Sequence, residues 1–407
     1  MEIDSDKATI ADLHIHSKYS RATSKNLDFE NLFKYGKIKG LNLLGTGDFT
    51  HPTWLEEIKK LQEKDGLYYY EDFPFVLSGE ISLIYTQDNK GRRVHLVILV
   101  PSINIVEKIN SYLDKKGRRD YDGRPIFNIS CEDFVREMML IDRDIEIIPA
   151  HAWTPYFGIF GSMSGFNSLK EAFKEQVENI HSIETGMSSS PEMNWHLSQL
   201  NNKSIVSFSD SHSFWPFRIG REATIFNKIE SYKDLIKQIR ENSFLATVET
   251  SPLYGKYHWD GHRLCNFSCS PEETKKLKGI CPVCGKALTI GVENRVNELT
   301  DQKPEENKNR KPYYTLLPLH ELIALAKAST LASRKTWLVY NNLISNFKNE
   351  FNVLLNIDEK DLLKALPEDA KLVALILKNR EGKIDIEPGY DGTYGLPLLS
   401  EMQKKLL

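Results

Sequence analysis

The sequence lacks any apolar run approaching the roughly 20 residues that a membrane-spanning helix needs. Its first ten residues, MEIDSDKATI, are acidic and polar, without the charged-then-apolar pattern of a secretory signal. Both absences argue against a membrane or secreted protein, and we therefore expect a cytoplasmic protein with no membrane partner.

Cysteine is scarce, since there are five in 407 residues and four of them lie close together. This distribution favours a reducing compartment and a metal site over a disulfide framework. No strong charge excess is present either, because the formal net charge is −3. Such a balance gives no global sign of nucleic-acid binding but does not exclude it, because phosphate binding depends on local basic surface. The richest basic stretch, residues 114–125, is typical of a solvated loop.

Hydrophobic residues make up 41% of the chain, enough for a large core. Up to about residue 254, short apolar runs alternate with helical periodicity, which predicts an α/β domain with a largely parallel sheet, open or closed into a barrel. Residues 255–299 are turn-rich and hold four cysteines, which predicts a small metal-binding module. Residues 300–407 begin with a charged linker and continue with helical periodicity, which predicts a helical C-terminal domain.

Residues that bind metals recur at the ends of the predicted strands. His14 and His16 lie at i and i+2, on one face of a strand. Side chains at the carboxyl ends of strands converge in (β/α) barrels, so we expect a metal-binding catalytic centre there. The predicted metal ligands are His14, His16, Asp48, Glu80, His95, His151, Asp210 and His212. Among them, Asp210, Glu80 and His151 are the predicted catalytic residues.

This mixed imidazole and carboxylate set is too large for one ion and suits two or three divalent metals of the Zn, Mn, Fe or Mg type. Glu80 and Asp210 are the candidates to bridge them. Such a cluster favours phosphoester hydrolysis, in which one ion supplies hydroxide and another stabilises the leaving oxygen. Glu184 also ends a strand, and for it a ligand role and a supporting or structural role remain open. We expect His181, His196 and His320 to be packing or surface residues.

The motifs DLHIHS, SGE, VHLVILV, PAH and SDSH resemble those of the PHP (polymerase and histidinol phosphatase) domain family. The resemblance covers about residues 8–250 and implies a distorted (β/α)7 barrel that binds up to three metals. One departure is TGDF, which places Asp48 where the family usually has a histidine; His51 is the alternative. A second is Arg21, near the position of a further family ligand, so that two metals are as compatible with this chain as three.

The cysteines follow the pattern Cys265-x3-Cys269-x11-Cys281-x2-Cys284, which predicts a structural tetrahedral zinc site in a ribbon-like module. An iron–sulfur cluster and a redox pair are the alternatives. His258 and His262 are close enough in sequence to serve as alternate ligands, whereas Cys131 stands apart and is expected to be a buried thiol.

A PHP-like region, a cysteine module and a C-terminal stretch containing PGYDGTYG together resemble the endonuclease Q family over essentially the whole chain. The resemblance implies DNA repair by incision 5′ to uracil, hypoxanthine, xanthine and abasic sites, in double- or single-stranded DNA. A metal-bound hydroxide would attack the phosphorus and leave a 3′-hydroxyl and a 5′-phosphate.

Such an enzyme has to expose the damaged base, so we expect base flipping into a pocket with aromatic walls and basic residues on the flanking phosphates. Arg92 and Arg93 are further phosphate candidates. The predicted substrate-binding set is Trp153, Tyr156, Phe157, Phe160, Phe166, Trp215, Phe217, Arg218, Arg221, Lys18 and Arg21.

Two other functions remain open: a small-molecule phosphatase of the histidinol-phosphate type, and a catalytically inactive DNA-binding scaffold. The final residues, EMQKKLL, also have a weak similarity to peptides that bind sliding clamps, although a plain amphipathic helix end explains them equally.

Overall fold

The computed structural model describes residues 7–398, which form a mixed α/β structure with a helical C-terminal region. The strands are β1 Ala8–Asp12, β2 Leu43–Gly45, β3 Gln62–Lys64, β4 Leu67–Tyr70, β5 Phe73–Gln87, β6 Lys90–Val100, β7 Ile126–Phe127, β8 Glu146–Pro149, β9 Ser182–Glu184, β10 Ser204–Val206, β11 Ala223–Asn227, β12 Ala246–Glu249, β13 Asp260–His262, β14 Phe267–Cys269, β15 Tyr313–Thr315, β16 Ile386–Glu387 and β17 Leu396–Pro397. The helices are α1 Phe29–Lys39, α2 Pro52–Ile58, α3 Ile103–Asp114, α4 Cys131–Ile141, α5 Leu169–Phe173, α6 Pro191–Trp195, α7 Tyr232–Arg240, α8 Pro271–Lys276, α9 Val292–Leu299, α10 Leu319–Lys327, α11 Arg334–Phe347, α12 Glu350–Leu355, α13 Glu359–Ala365 and α14 Ala370–Arg380. Within residues 7–398, no helix is long and apolar enough to cross a membrane.

The main sheet is mixed, not largely parallel as the sequence pattern predicted. β1, β2 and β5 run parallel, but β11 and β12 are antiparallel neighbours beyond β1. β5 and β6 form a long antiparallel hairpin whose turn, Asp88 and Asn89, has positive φ at both residues (53° and 58°). A two-residue turn can join only antiparallel strands, which is why this hairpin interrupts the parallel order.

Hydrogen bonds beyond the main sheet bring further strand ends together. β9 and β10 form a parallel pair. The segment after β8 is bonded to β9 through Ala152 N and Glu184 O (2.9 Å). The segment after β1 is bonded to the segment after β10 through His16 N and Ser211 O (3.0 Å). The carboxyl ends of β1, β8, β9 and β10 therefore meet at one place.

Two stretches with helical periodicity form helices that are shorter than the periodicity alone predicts. In TWLEEIKKLQEK, α2 ends at Ile58, and Gln62–Lys64 instead pairs with β4 as a hairpin strand. In SLKEAFKEQVEN, α5 ends at Phe173 because Lys174 adopts a positive φ of 45°, which an α-helix cannot accommodate.

The helical region α10–α14 packs through its own buried side chains, such as Leu322, Tyr340 and Ile376. The preceding chain returns to the main sheet, because β15 pairs in parallel with β12 at its edge. The helical region is therefore attached directly to the sheet that carries the strand ends. The segment with similarity to clamp-binding peptides, residues 401–407, lies outside the described part of the chain.

Candidate functional site

Six of the eight predicted ligands lie together. Four of them follow the strand ends as expected, whereas Glu80 and His95 lie within β5 and β6, which continue past them. One group joins His14, His16, Glu80 and Asp210, with one ligand atom of each residue within 4.8 Å of the others. A second group joins Glu80, His95 and His151 under the same limit. Glu80 belongs to both groups, which is the position of a carboxylate that could bridge two cations.

The ligand atoms fit a divalent cation better than they fit one another. His14 Nε2 is buried and makes no hydrogen bond, and buried polar atoms without partners are costly. Burial opposes protonation of His14, but the carboxylates of Glu184, Asp210 and Glu80 raise its pKa well above the ordinary value. An environment that attracts a proton this strongly also attracts a metal cation. The arrangement therefore supports a centre for divalent metals of N/O preference.

Two carboxylates orient His14 and His16 by contacting the Nδ1 side of each imidazole. Glu184 accepts from His14 Nδ1 (3.0 Å) and from the backbone N of His151 (2.8 Å). Asp48 contacts His16 Nδ1 at 2.9 Å and accepts from Ser17 N at 2.6 Å. With Nδ1 occupied, each imidazole presents Nε2 to the group, an arrangement common around metal sites.

Asp48 was predicted as a ligand, yet the structure places it behind His16 and outside both groups. Likewise His212 is not among the grouped atoms; its side chain is 32% exposed and its Nδ1 lies 3.0 Å from the backbone O of Asp210. His51, the alternative to Asp48, begins α2 and stacks on Tyr19 instead. These positions follow from contacts across strands that short motifs do not encode.

Arg124 reaches the metal-ligand groups, a position that the sequence analysis did not predict. Its Nη1 lies 3.0 Å from Glu80 Oε2. The cause is the parallel pairing of β7 with β5, in which Ser82 faces Ile126. Arg124 belongs to the basic stretch that the sequence marked as a solvated loop, so basic composition was the one local signal that could have found it.

A cavity of about 190 Å³ adjoins the metal-ligand groups. Asp210 lines this cavity and also belongs to the first group. Backbone of Gly186 and Met187 forms part of its wall. Its polar lining side chains are Thr154, Ser188, Asp210, Arg221, Lys256, Tyr257, His258 and Tyr394. Most of these were absent from the predicted substrate-binding set, which had identified Arg221 alone.

Three of the predicted base-contacting aromatics are core residues. Trp153, Phe160 and Phe166 are at most 1% exposed. Trp153 donates to Asn194 Oδ1 at 2.7 Å within this core. Their prediction as base contacts is therefore wrong, because the glycine-rich loop that carries them folds inward. Tyr156 is 38% exposed and Phe157 stacks on His95 with the ring centroids 4.2 Å apart.

The aromatic residues after His212 contact the helical region. Trp215 and Trp337 have ring centroids 5.4 Å apart, and Phe217 and His320 are 5.1 Å apart. Arg218 lies over the ring of Phe217. These residues join the loop after the metal ligands to the C-terminal helices.

Three of the remaining predicted phosphate contacts are partnered by acids. Lys18 is paired with Glu57 at 2.9 Å, and Arg21 lies 3.5 Å from Asp122 while remaining 72% exposed. Arg92 is buried and bonds to Glu171, so it lies away from solvent, whereas Arg93 is exposed.

Two fully buried glutamates, Glu222 and Glu249, support the cavity wall. Glu222 accepts from Met187 N (2.7 Å), and both carboxyl groups share Ser207 Oγ, at 3.2 and 3.1 Å. Burial raises the pKa of Glu249 to about 8, and burial next to the Glu249 charge raises the pKa of Glu222 well above its ordinary value. The pair therefore holds protons in the folded state that it would lose on unfolding at neutral pH.

We expect the Glu249→Gln variant to be more stable than the wild type at high pH, with the difference growing as the pH rises. The folded-state pKa exceeds the unfolded value, so the glutamate stabilises the fold below about pH 4.5 and loses that contribution as the pH rises through about 8. Urea unfolding at pH 5 and pH 8 should show a change in the difference of more than about 1 kcal/mol. Exposed Glu230→Gln is the control, and a pH-independent difference for Glu249→Gln would contradict the expectation.

A third metal-ligand group lies in the cysteine module and differs from the prediction. It contains His262, Cys265, Cys281 and Cys284, with ligand atoms within 4.8 Å of one another. Cys269 is not in this group; it is buried, and its Sγ lies 3.2 Å from Thr274 Oγ1. In the β13–β14 hairpin, Cys269 faces Asp260 at the open end, whereas His262 lies at the turn that carries Cys265.

The comparisons with known proteins agree with this architecture. Residues 318–383 match the family described as the MJ0043 C-terminal domain. Uncharacterized protein MJ0043 of Methanocaldococcus jannaschii is 32% identical over 288 residues, 69% of this chain but 34% of that protein, so the chain spans about a third of its length. Uncharacterized protein YqxK of Bacillus subtilis is 28% identical over 96% of this chain and 99% of its own.

Two solved structures match nearly the whole chain. The lesion-specific endonuclease PfuEndoQ from Pyrococcus furiosus has a TM-score of 0.86 at 29% identity and covers 96% of this chain and 95% of its own. A complex of endonuclease Q with a 27-mer duplex substrate, with an abasic lesion at the active site, has a TM-score of 0.87 at 30% identity, and the match covers 97% of both chains.

Proposed function

Because the chain belongs to the endonuclease Q family, we propose that it is a metal-dependent DNA repair endonuclease. It would hydrolyse the phosphodiester bond 5′ to uracil, hypoxanthine, xanthine and abasic sites, leaving a 3′-hydroxyl and a 5′-phosphate. The observation that carries the proposal is the sharing of Asp210 between the metal-ligand group and the cavity, since this residue connects the place of chemistry to a place for a nucleotide.

We assign the domains as a PHP-type barrel over residues 1–254, a zinc module over 255–299 and a linker with helical domain over 300–407. The hydrogen bonds that join the carboxyl ends of β1, β8, β9 and β10 support the barrel assignment. The matched family over residues 318–383 supports the helical domain.

Divalent cations, when bound, would supply a hydroxide nucleophile near neutral pH and offset the negative charge of the phosphodiester. His14, His16, Glu80 and Asp210 would hold one cation, and Glu80 would share a second with His95 and His151. Glu184 and Asp48 would keep the imidazoles in their ligating orientation. Arg124, beside Glu80, would contribute positive charge to the phosphate.

The cavity offers a place for an extruded base. Deamination replaces an exocyclic amino group with a carbonyl, which changes a hydrogen-bond donor into an acceptor. The guanidinium of Arg221 and the hydroxyl of Tyr257, both in the cavity wall, can donate to such a carbonyl. A normal cytosine or adenine would present its amino donor to these donors instead, which would disfavour it. An abasic site would enter without a base to be tested.

Incision of labelled duplexes tests the proposal. Each duplex carries one uracil, hypoxanthine, xanthine, abasic site or undamaged nucleotide, with Mg or Mn supplied. We expect a single cut 5′ to each lesion and none in the undamaged duplex. Hydrolysis of small phosphomonoesters with no duplex cleavage would favour the phosphatase instead, and binding of damaged duplex without any cleavage would favour the inactive scaffold.

For the cysteine module we propose a structural zinc held by His262, Cys265, Cys281 and Cys284. We expect Cys269→Ser to retain about one zinc per chain and His262→Ala to lose it, because the grouped ligand atoms include the histidine and not Cys269. Atomic absorption on purified protein measures this, with Cys131→Ser, a thiol outside the module, as control. Loss of zinc from Cys269→Ser, or its retention in His262→Ala, would contradict the assignment.

A further inference from the structure

The cysteine module contributes residues to the wall of the cavity. Within the module, Tyr257 and His258 line the cavity before the first cysteine in the chain, and Val292 lines it after the last. The two ends are joined by a hydrogen bond from Val292 N to Tyr257 O of 2.7 Å. The segment between them, which holds both cysteine pairs, therefore begins and ends at the cavity's edge.

Two large apolar side chains are exposed on this segment. Leu264 is 83% exposed and lies immediately before Cys265, and Val283 is 66% exposed and lies between Cys281 and Cys284. The small core of the module, which includes Cys269, Cys281 and Leu288, contains neither. Apolar side chains on turns that carry metal ligands are held rigidly in solvent, which suits insertion into a partner.

The surface around them is basic. Between Trp259 and Ile290 there are five Lys or Arg residues and three Asp or Glu residues, in a chain whose net charge is −3. Arg263 points back to the cavity, because its Nη1 and the Tyr257 hydroxyl both lie within 3.6 Å of the point where Gly392 would carry a Cβ. Exposed apolar side chains on a basic surface beside a cavity are suited to duplex DNA, a polyanion whose stacked bases form an apolar interior.

We propose that Leu264 is a wedge that enters the base stack where a nucleotide has moved into the cavity. This inference rests on the proposed function. Extrusion of a nucleotide leaves a gap between stacked bases, and apolar side chains such as leucine occupy such gaps in other DNA-bending proteins. Filling the gap opposes return of the nucleotide, so the wedge acts only where a stack has to be opened.

The experiment compares wild type, Leu264→Ser and Leu264→Phe on two substrates: one lesion within a fully paired duplex, and the same lesion within an unpaired bubble. We expect Leu264→Ser to lower kcat/KM on the paired duplex about tenfold and leave the bubble unchanged, since one stacking contact has roughly that effect. Leu264→Phe should keep most of the duplex activity. Leu140→Ser, 75% exposed on α4, is the matched control, and zinc content reports whether each module is intact.

Equal losses on both substrates, or no loss on either, would overturn the wedge while leaving the proposed nuclease standing. A wild-type protein that cuts neither substrate would overturn the nuclease function and the wedge with it. A second readout is independent of cleavage: 2-aminopurine next to the lesion should become brighter on binding of Asp210→Asn, and adding Leu264→Ser should remove that increase.

Discussion

Asp210→Asn is expected to lower kcat/KM for incision by about 10³-fold or more while leaving the fold intact. The carboxylate belongs to the first metal-ligand group and also lines the cavity. Loss of its charge would weaken cation binding where the charge of the phosphodiester has to be offset, an effect of several kcal/mol. Asparagine suits the position because residue 210 has a φ of 49°, a conformation that asparagine adopts readily.

Incision of a uracil-containing duplex, measured at several Mn concentrations, reports this loss. Recovery of the incision rate at high Mn concentration would show that Asp210→Asn weakens cation binding. Asp361→Asn, a partly exposed carboxylate on α13, is the control and should retain full activity. Undiminished incision by Asp210→Asn at low Mn would contradict the assignment of this residue.

The sequence indicated residues that the structure brings together, because strand ends are visible in apolar runs. His14 and His16, two residues apart on a strand end, have to share a face, and their atoms do belong to one group. His151 and Asp210 likewise follow β8 and β10, whereas Glu80 lies inside β5, which continues to Gln87. Periodicity could not show whether a carboxylate at a strand end lies among the ligand atoms or contacts one of the ligands from outside the group, as Asp48 does.

The errors arose where contacts distant in sequence decide the outcome. Trp153 sits beside a predicted ligand, yet its indole turns inward to Asn194, 41 residues later. Arg124 reaches Glu80 only because β7 pairs with β5. Composition does not distinguish an aromatic residue that packs in a core from one that stacks on a base, since both require the same apolar surface.

A similar long-range contact joins the helical region to the rest of the chain. Lys39, at the end of α1, is 1% exposed and lies 2.7 Å from Glu350, which is fully buried. Lys39 also donates to Pro216 O at 2.9 Å, in the loop between the metal ligands and Arg221. Glu350 in turn accepts from Tyr340 Oη at 2.9 Å. One ion pair therefore connects α1, the site loop and the C-terminal helices.

We expect Lys39→Met to lower the free energy of unfolding by about 3–5 kcal/mol, because it leaves the buried Glu350 carboxylate without its counter-charge. Urea unfolding followed by tryptophan fluorescence measures it, since Trp215 and Trp337 meet at this junction. Adding Glu350→Met should restore much of the loss by removing the unpaired charge. Lys37→Met breaks a pair of the same type whose side chains are 46% and 73% exposed, and it should cost at most about 1 kcal/mol. Equal losses for Lys37→Met and Lys39→Met would show that burial does not set the strength of this junction.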